Sequence, residues 1–548
     1  MQVFTDTPIQ PPATTVTSAI GPYGQRRGAV RYAAGNDRDA VALEASHFST
    51  DGYRAHSEAR RTQLNGKWQH EVDRDSRLAL IVNVLEQPLS KDPLGLTRAQ
   101  WEADPTQAVP IAFTQDARKS VSQRQIGATY ERSLGASTQL DARVYFGTRE
   151  LDNALSIPLA AQAAATSSGG IVQFERGYAG LGLQVSHQQS LGEARSMRLT
   201  AGIEVDTLGE DRRGYINDGG VQGALKRDER NESDNVDVYA QAAFDLAADW
   251  TLTAGVRSSR VRFDSRDSFI AAGNPDDSGS LRYRATNPVI GITWRAAQNL
   301  NVYANAGRGF ETPTFTELAY RPVGTGLNTE LKASRSRHAE IGAKWRIAAG
   351  QRIDAAVFDI ATRDEIVVDT NAGGRSTFKN AGRTSRRGLE LAYLGNYADT
   401  WRATLSLTAM QVRFDDTFVA GSGAAAVTIP AGNRLPGTPE RSAFAELAWR
   451  PPGAWGGLHA AAELVHQGKL YVNDANTDAA PAATTLNLRA GLAQTVGAWR
   501  FTQLLRVDNV TDRRYAGSVI VNEANGRFFE PALPRHWLLA LSASYALK

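Results

Sequence analysis

The chain has 548 residues, of which 42% are hydrophobic, with a formal net charge of +3 and no cysteine. Its dispersed lysines and arginines exclude the clustered basic footprint of a nucleic-acid binder, and the missing cysteines exclude disulfide scaffolds and thiolate-bound zinc. The strongest apolar run, Leu78 to Leu85, is broken by Asn83 and falls far short of the ~18–20 residues of a membrane-spanning helix.

The N-terminus, Met1-Gln2-Val3-Phe4-Thr5-Asp6, has neither the basic segment nor the apolar core of a signal peptide. From Thr14 to Ala546 the dominant signal is an alternation of period two, in which successive side chains face opposite ways along a strand. Leu140, Ala142, Val144 and Phe146 alternate with Asp141, Arg143 and Tyr145. Met197, Leu199, Ala201, Ile203 and Val205 alternate with Arg198, Thr200, Gly202, Glu204 and Asp206. The run from Val236 to Leu246 repeats the pattern, and Trp537, Leu539, Leu541, Ala543 and Tyr545 close the series. The alternation slips phase at Val357-Phe358 and Ala409-Met410, where a bulge or an extension beyond the membrane is expected.

Connections decide between a soluble sandwich and a membrane barrel. Tight turns such as Ala247-Ala248-Asp249, Ala348-Ala349-Gly350 and Val496-Gly497-Ala498 alternate with long stretches, among them 87–120, 151–173, 210–235, 310–333, 415–435 and 511–534. Short turns on one side and long loops on the other are the rhythm of an up-and-down outer-membrane barrel. Trp250, Trp401 and Trp499 open strands just after tight turns, while Trp68, Trp294, Trp345 and Trp449 sit just before them. Such a girdle suits the boundary between hydrocarbon and water. The prediction is therefore an all-β fold: a transmembrane antiparallel up-and-down β-barrel of about 22 strands. Ile203 is assigned to the lipid face, and Gly202 to a lumen face more tolerant of charge.

Three blocks resemble the barrel of TonB-dependent outer-membrane receptors. They are Gly307-Arg308-Gly309-Phe310-Glu311-Thr312-Pro313-Thr314 with Glu317-Leu318, then Asn380-Ala381-Gly382-Arg383-Thr384 leading into Arg387-Gly388-Leu389-Glu390-Leu391, and Val507-Asp508-Asn509-Val510-Thr511-Asp512 with Tyr515. Their order and spacing are those of the family, with a flavour of ferric-siderophore and ferric-citrate receptors. The resemblance implies an outer-membrane protein, monomeric, that captures a ferric chelate or similar small ligand and is energised by the TonB complex in the intact protein. It also implies a plug domain and a coupling box ahead of the barrel. Residues 1–8 are read as the remnant of a plug tail and residues 9–548 as the barrel, with the plug itself absent and the start truncated. A passive channel without a plug is the alternative.

Loop and lumen residues suited to an anionic or aromatic chelate are Phe310, Tyr320, Arg321, Arg383 and Arg387, since π faces and positive charge fit such complexes. The first block reads equally as a structural corner, and Arg383, Arg386 and Arg387 equally as lumen charges paired with acidic neighbours. The eight histidines are scattered without a pair at ligand spacing, so no metal site and no cofactor are expected. His187 and Ser190 invite a hydrolase reading, but no nucleophile elbow accompanies them, so no enzyme is expected.

Overall fold

The computed structural model describes residues 12–192, 195–321, 326–373, 375–421, 426–453 and 456–547. The expected plug-tail remnant, residues 1–8, lies outside the described residues. The alternating segments form one 22-stranded antiparallel sheet. It closes where the first strand, Ala13–Ile20, pairs with the last, His536–Ala546, from Ala13 opposite Ala546 to Ile20 opposite Leu539. Closure leaves no edge strand, so the wall satisfies its backbone hydrogen bonds internally, as hydrocarbon requires.

The two faces divide as the alternation predicts. Val144, Phe146, Ile203, Val238, Ile290 and Ile341 are exposed on the outside. Inside, polar side chains link across strands: Arg143 and Arg257 both bind Glu204, Arg257 also binds Asp237, and Tyr145 donates to Asp206. At the short-turn rim Trp250 stacks on Trp294 at 5.5 Å, and Trp401 meets Trp449 at 6.0 Å. Trp537 is also exposed, but it starts the last strand and so stands at the long-loop rim.

Two expectations fail, and for instructive reasons. Residues 210–235 are not a loop. The strands Ser196–Asp218 and Val221–Ala247 run on as a hairpin with only Gly219 and Gly220 between them, both at positive φ. Polar alternation that looked like a loop is a two-stranded ribbon rising above the wall. The phase slips are not bulges either: Val357 to Leu389 and Leu389 to Ala409 pair in unbroken register. Phe358 and Met410 instead flank Gly388 on the inner face, and a Cβ on Gly388 would lie 2.4 Å from the Phe358 ring.

The same device recurs inside the barrel. Tyr239 lies over Gly202, Tyr145 over Gly180, Tyr178 over Gly147 and Tyr303 over Gly342. Each ring covers a glycine on the facing strand, an aromatic-over-glycine pairing that fills the missing side chain. Gly202 is therefore not an open lumen position, because the Tyr239 hydroxyl occupies the place of its Cβ.

Buried apolar clusters form where the long loops pack on one another and on the wall. Leu94, Leu96, Trp101 and Val109 of one loop pack with Leu470 and Val472 of a second and Phe529 of a third. Phe263 and Leu281 of the wall meet Phe315, Leu318, Leu327 and Leu331 of another loop. The loops thus form a crown with small cores of its own.

Candidate ligand-facing site

The extended hairpin presents one face to the inside. Glu210 lies opposite Asn231, and Arg212 opposite Glu229, with Arg227 two residues along the same face. Arg176 of the neighbouring strand Ile171–Ser190 reaches Glu210, its Nε donating at 3.0 Å. Arg227 donates to Glu229 at 2.7 Å. Glu210, Arg212, Arg227, Glu229 and Asn231 are all buried, and the Ala319 carbonyl and Tyr320 hydroxyl fold back onto Arg227 and Arg212.

A capping box positions the loop 312–333. Thr314 accepts from the backbone of Glu317 while the Glu317 carboxylate accepts from Thr314, starting the short helix Phe315–Leu318. Pairing of this kind satisfies the free N–H groups of a helix start. Leu318 is fully buried, so the helix is anchored and Tyr320, just past it, is delivered onto the hairpin. Arg321 locks the return path by donating to the Leu327 carbonyl at 2.8 Å and to Thr329 at 2.7 Å.

Tyr320 sits among three guanidinium groups. Arg212 donates to its hydroxyl at 2.9 Å, and the Arg212, Arg227 and Arg375 guanidinium carbons lie 5.4, 5.2 and 4.4 Å from its ring centre. Burial alone would push the phenol up, but the charges of Arg212, Arg375 and Arg227 outweigh it and bring Tyr320 down to about 7. Arg375 comes from a separate loop hairpin, Ile366–Ala372 paired with Arg375–Asn380, and donates to the Gly169 carbonyl at 2.7 Å. The Nε atoms of Arg212 and Arg375 are buried without an acceptor among the described residues.

A cavity of about 130 Å³ adjoins this cluster, lined by Lys226, Arg227, Tyr320, Arg321 and Arg375 together with the carboxylates of Glu229, Asp267 and Asp277. Below it, a wider inner cavity of about 560 Å³ is bounded by Arg176, Asp237, Arg257 and residues 312–316. Chemically, the upper site offers converging cations, the unfilled Arg375 Nε donor and an ionisable phenol. That combination suits an anionic ligand bearing carboxylate or phenolate oxygens.

The five residues singled out in the sequence do not gather in one place. Tyr320 and Arg321 line the cavity. Phe310 ends its strand opposite Arg335, with the Arg335 guanidinium 5.8 Å from its ring, and also borders the lower inner cavity. Arg383 is clamped to Asp416, its Nη2 donating at 2.6 Å. Arg387 stands opposite Asp359, binds it, and shares the outward face with Leu389 and Val357. A lumen position for Arg387 is thus not found, since strand alternation puts it on the face opposite Arg386. Arg386 itself turns inward to Glu365 at 2.7 Å. Sequence reasoning missed Arg212, Arg227 and Arg375. The first two were detectable by continuing the alternation through 210–235, whereas the arrival of Arg375 depends on how the loops pack.

A family model described as "TonB dependent receptor-like, beta-barrel" matches residues 47–510. The metal-pseudopaline receptor CntO of Pseudomonas aeruginosa is 25% identical over 328 residues, covering 58% of this chain and 42% of that protein. The ferrichrome receptor FcuA of Yersinia enterocolitica is 26% identical over 301 residues, covering 54% and 36%. The matched region thus spans less than half the length of these curated relatives. Among solved structures, the siderophore receptor PiuA from Acinetobacter baumannii superposes with a TM-score of 0.81 at 14% identity, covering 99% of this chain and 82% of that one. The ferric citrate transporter FecA in its unliganded form gives 0.78 at 15% identity, covering 97% and 78%. At these identities the structural likeness speaks for the fold.

Proposed function

Since the chain belongs to the family of TonB-dependent receptor β-barrels, which are outer-membrane receptors and transporters, we propose that it forms the wall and loop crown of an uptake receptor for an anionic metal chelate, a ferric siderophore or ferric citrate foremost. Capture takes place from the long-loop side. In the whole protein, uptake is energised through TonB acting on a plug-type domain that works together with this wall.

The single observation that carries the ligand class is the guanidinium cluster around Tyr320, with the Arg375 Nε donor left without an acceptor beside an open cavity. Buried donors without acceptors are costly, and a carboxylate or catecholate oxygen entering the cavity removes that cost. Of the residues expected from the sequence, Tyr320 is given the ligand contact. Arg321 and Arg383 shape the loops, Phe310 borders the lower cavity, and Arg387 lies on the outward side of the rim. The relatives include a receptor for a metal–pseudopaline and one for ferrichrome, which favours a metal chelate.

The test is a binding titration of the purified chain in detergent against ferric citrate, a ferric catecholate and a ferric hydroxamate, read by tryptophan fluorescence. Binding of an anionic chelate that weakens at least tenfold in Arg375→Gln supports the reading. Chelate binding that is equal in wild type and variant overturns the site. No binding of any chelate, together with an open ion conductance in planar bilayers, favours a passive channel instead.

A further inference from the structure

Most of the charges that line the Tyr320 cavity do not pair with one another. Lys226 and Arg375 are each held by a backbone carbonyl, Lys226 Nζ donating to Ala164 at 2.9 Å and Arg375 Nη2 to Gly169 at 2.7 Å. Arg321 is likewise engaged by the Leu327 carbonyl and Thr329. None of these three cations has a carboxylate within ion-pair distance among the described residues. The same holds with the sign reversed for Asp267 and Asp277 of the same lining: among the described residues, no lysine, arginine or histidine reaches either. Only Arg227 and Glu229 close on each other, at 2.7 Å.

Elsewhere in the crown, opposite charges brought together by loop packing close directly. Arg98 binds Asp478, Lys379 binds Asp369 at 2.8 Å and Arg383 binds Asp416 at 2.6 Å. Around the cavity the backbone holds them apart. Asp267 is fixed by the N–H groups of Phe269 at 2.9 Å and Asp277 at 3.2 Å, one on each carboxylate oxygen. A carboxylate offers about four acceptor sites, so both oxygens of Asp267 keep room for a further donor. Burial and the negative charges of Glu229 and Asp277 push the Asp267 carboxyl up, as befits an acid with no cation beside it. Unmatched charges of both signs in one partly closed cavity are costly, and each sign calls for a counterpart.

Size narrows what that counterpart is. The cavity holds about 130 Å³, against roughly 300–1,000 Å³ for a pocket that takes a whole small molecule. It therefore admits a head group while the bulk of a chelate stays outside. The α-amino acid unit is a head group that carries both signs in so small a space. Its carboxylate answers the open Nε–H of Arg375 and the charge of Lys226, and its ammonium answers Asp267 and Asp277. A purely anionic group leaves the aspartates unmatched, and a purely cationic one leaves the arginine.

We propose that the Tyr320 cavity recognises a zwitterionic, amino-acid-type head group, so that the chelate captured here bears a free ammonium beside its carboxylate. The inference rests on the cavity being the chelate site and narrows the class of chelate: ferric citrate, which has no cation to offer, ranks behind a chelate with a free amino-acid end. Guanidinium hydrogen bonds to a carboxylate are strong and directional. An ammonium has three donors, enough for both aspartates.

The test titrates the full chain in dodecyl maltoside with a matched set of chelates, read by tryptophan fluorescence. The parent is a linear ferric tris-hydroxamate joined at its end to the side-chain nitrogen of lysine, which leaves the α-ammonium and carboxylate free. Its N-acetyl form lacks the ammonium, its methyl ester lacks the carboxylate, and ferric citrate is run alongside. Wild type is expected to bind the parent at least tenfold tighter than either blocked form. Asp267→Asn with Asp277→Asn should abolish the preference over the N-acetyl form while ferric citrate binds no weaker than to wild type. N-acetyl form bound as tightly as the parent by wild type overturns the inference, and so does a preference kept in full by the double variant. In either case a tenfold loss of ferric citrate binding in Arg375→Gln leaves the chelate site itself standing. Parent and ferric citrate bound equally by wild type and Arg375→Gln, or no binding of any chelate, overturn the site and the inference together. If the double variant fails to fold, Asp277→Asn alone, whose side chain makes no hydrogen bond among the described residues, is read against the same outcomes.

Discussion

Wall and crown solve opposite solvent problems with one chain. In the wall, Val144, Phe146 and Ile203 are exposed and the inside is bridged by Arg143, Glu204 and Arg257. In the crown, Leu96 and Phe529 are fully buried. Apolar burial is favourable only where water is the alternative, so side chains that would be a defect in the crown are the rule in the wall. The crown behaves as a small water-soluble structure fastened to a membrane one, and the two should fail separately.

The largest effect should come from breaking the crown. Phe529 stacks on Trp101 at 5.1 Å and lies 4.8 Å beneath the Arg98 guanidinium, joining three loops. Phe529→Ala should cost about 3–5 kcal/mol of local stability through the cavity it leaves. Limited proteolysis should then cut the loops 92–117 and 509–535, while the barrel keeps its heat-modifiable mobility in gels. Simultaneous loss of both would show that crown and wall are one cooperative unit.

In the wall, Ile203→Arg should cost roughly 2–4 kcal/mol, as a charge turned toward lipid near midplane does, in a refolding titration into micelles. Gly202→Ala sharpens the comparison between faces, because its Cβ would lie 2.4 Å from the Tyr239 hydroxyl. Overpacking of that kind costs about 1–3 kcal/mol, and Tyr239→Ala in the same chain should restore only part of it, because the Leu183 carbonyl would still lie 2.8 Å from the new Cβ. If Gly202→Ala alone is silent, the ring is not fixed over the glycine.

At the junction of the two regions, the Arg212–Tyr320 hydrogen bond should be worth about 1.5–3 kcal/mol, in the range for bonds to charged groups. The phenol ionises near 7 in the folded protein and near about 10 when unfolded. A lowered acid contributes stability that grows as pH rises from 7 and is complete above 10, and it is lost as pH falls through 7. Protease protection of loop 312–333 should therefore be greater at pH 8.5 than at pH 6.5, and flat in Tyr320→Phe. Near-ultraviolet absorbance should show one phenolate step near neutrality that the variant lacks.

Much of the wall was legible because each strand declares its faces locally. Period two, tight turns and rim tryptophans all act within a few residues, and lipid enforces them on every strand. The same rule misled where polarity was taken for a loop, at 210–235, since a ribbon above the membrane has no greasy face to reveal it. The crown was largely illegible. Arg375 meets Tyr320, and Phe529 meets Leu96 and Trp101, through packing of loops far apart in sequence. No local period records such contacts. Tyr320 was found by its chemistry, whereas its three arginines come from two strands and a hairpin.

The smallest effect tests the boundary of the site. Arg383 binds Asp416 with both side chain and backbone N–H, and these bonds hold the Asp416 carboxyl below the usual carboxylate range. Such a group contributes stability above the ordinary carboxylate pKa that disappears as the solution turns acidic enough to protonate it. Yet Arg383 is largely exposed, at 62% of its side chain, and solvent screens the pair. In Arg383→Gln the backbone N–H still reaches Asp416, so the melting midpoint at neutral pH should stay within the scatter of wild type, and chelate binding should be unchanged. A several-fold loss of chelate affinity in this variant would move the site outward from Tyr320 to the rim. It would also mean that crown surface, rather than the inward face of the hairpin, meets the ligand first.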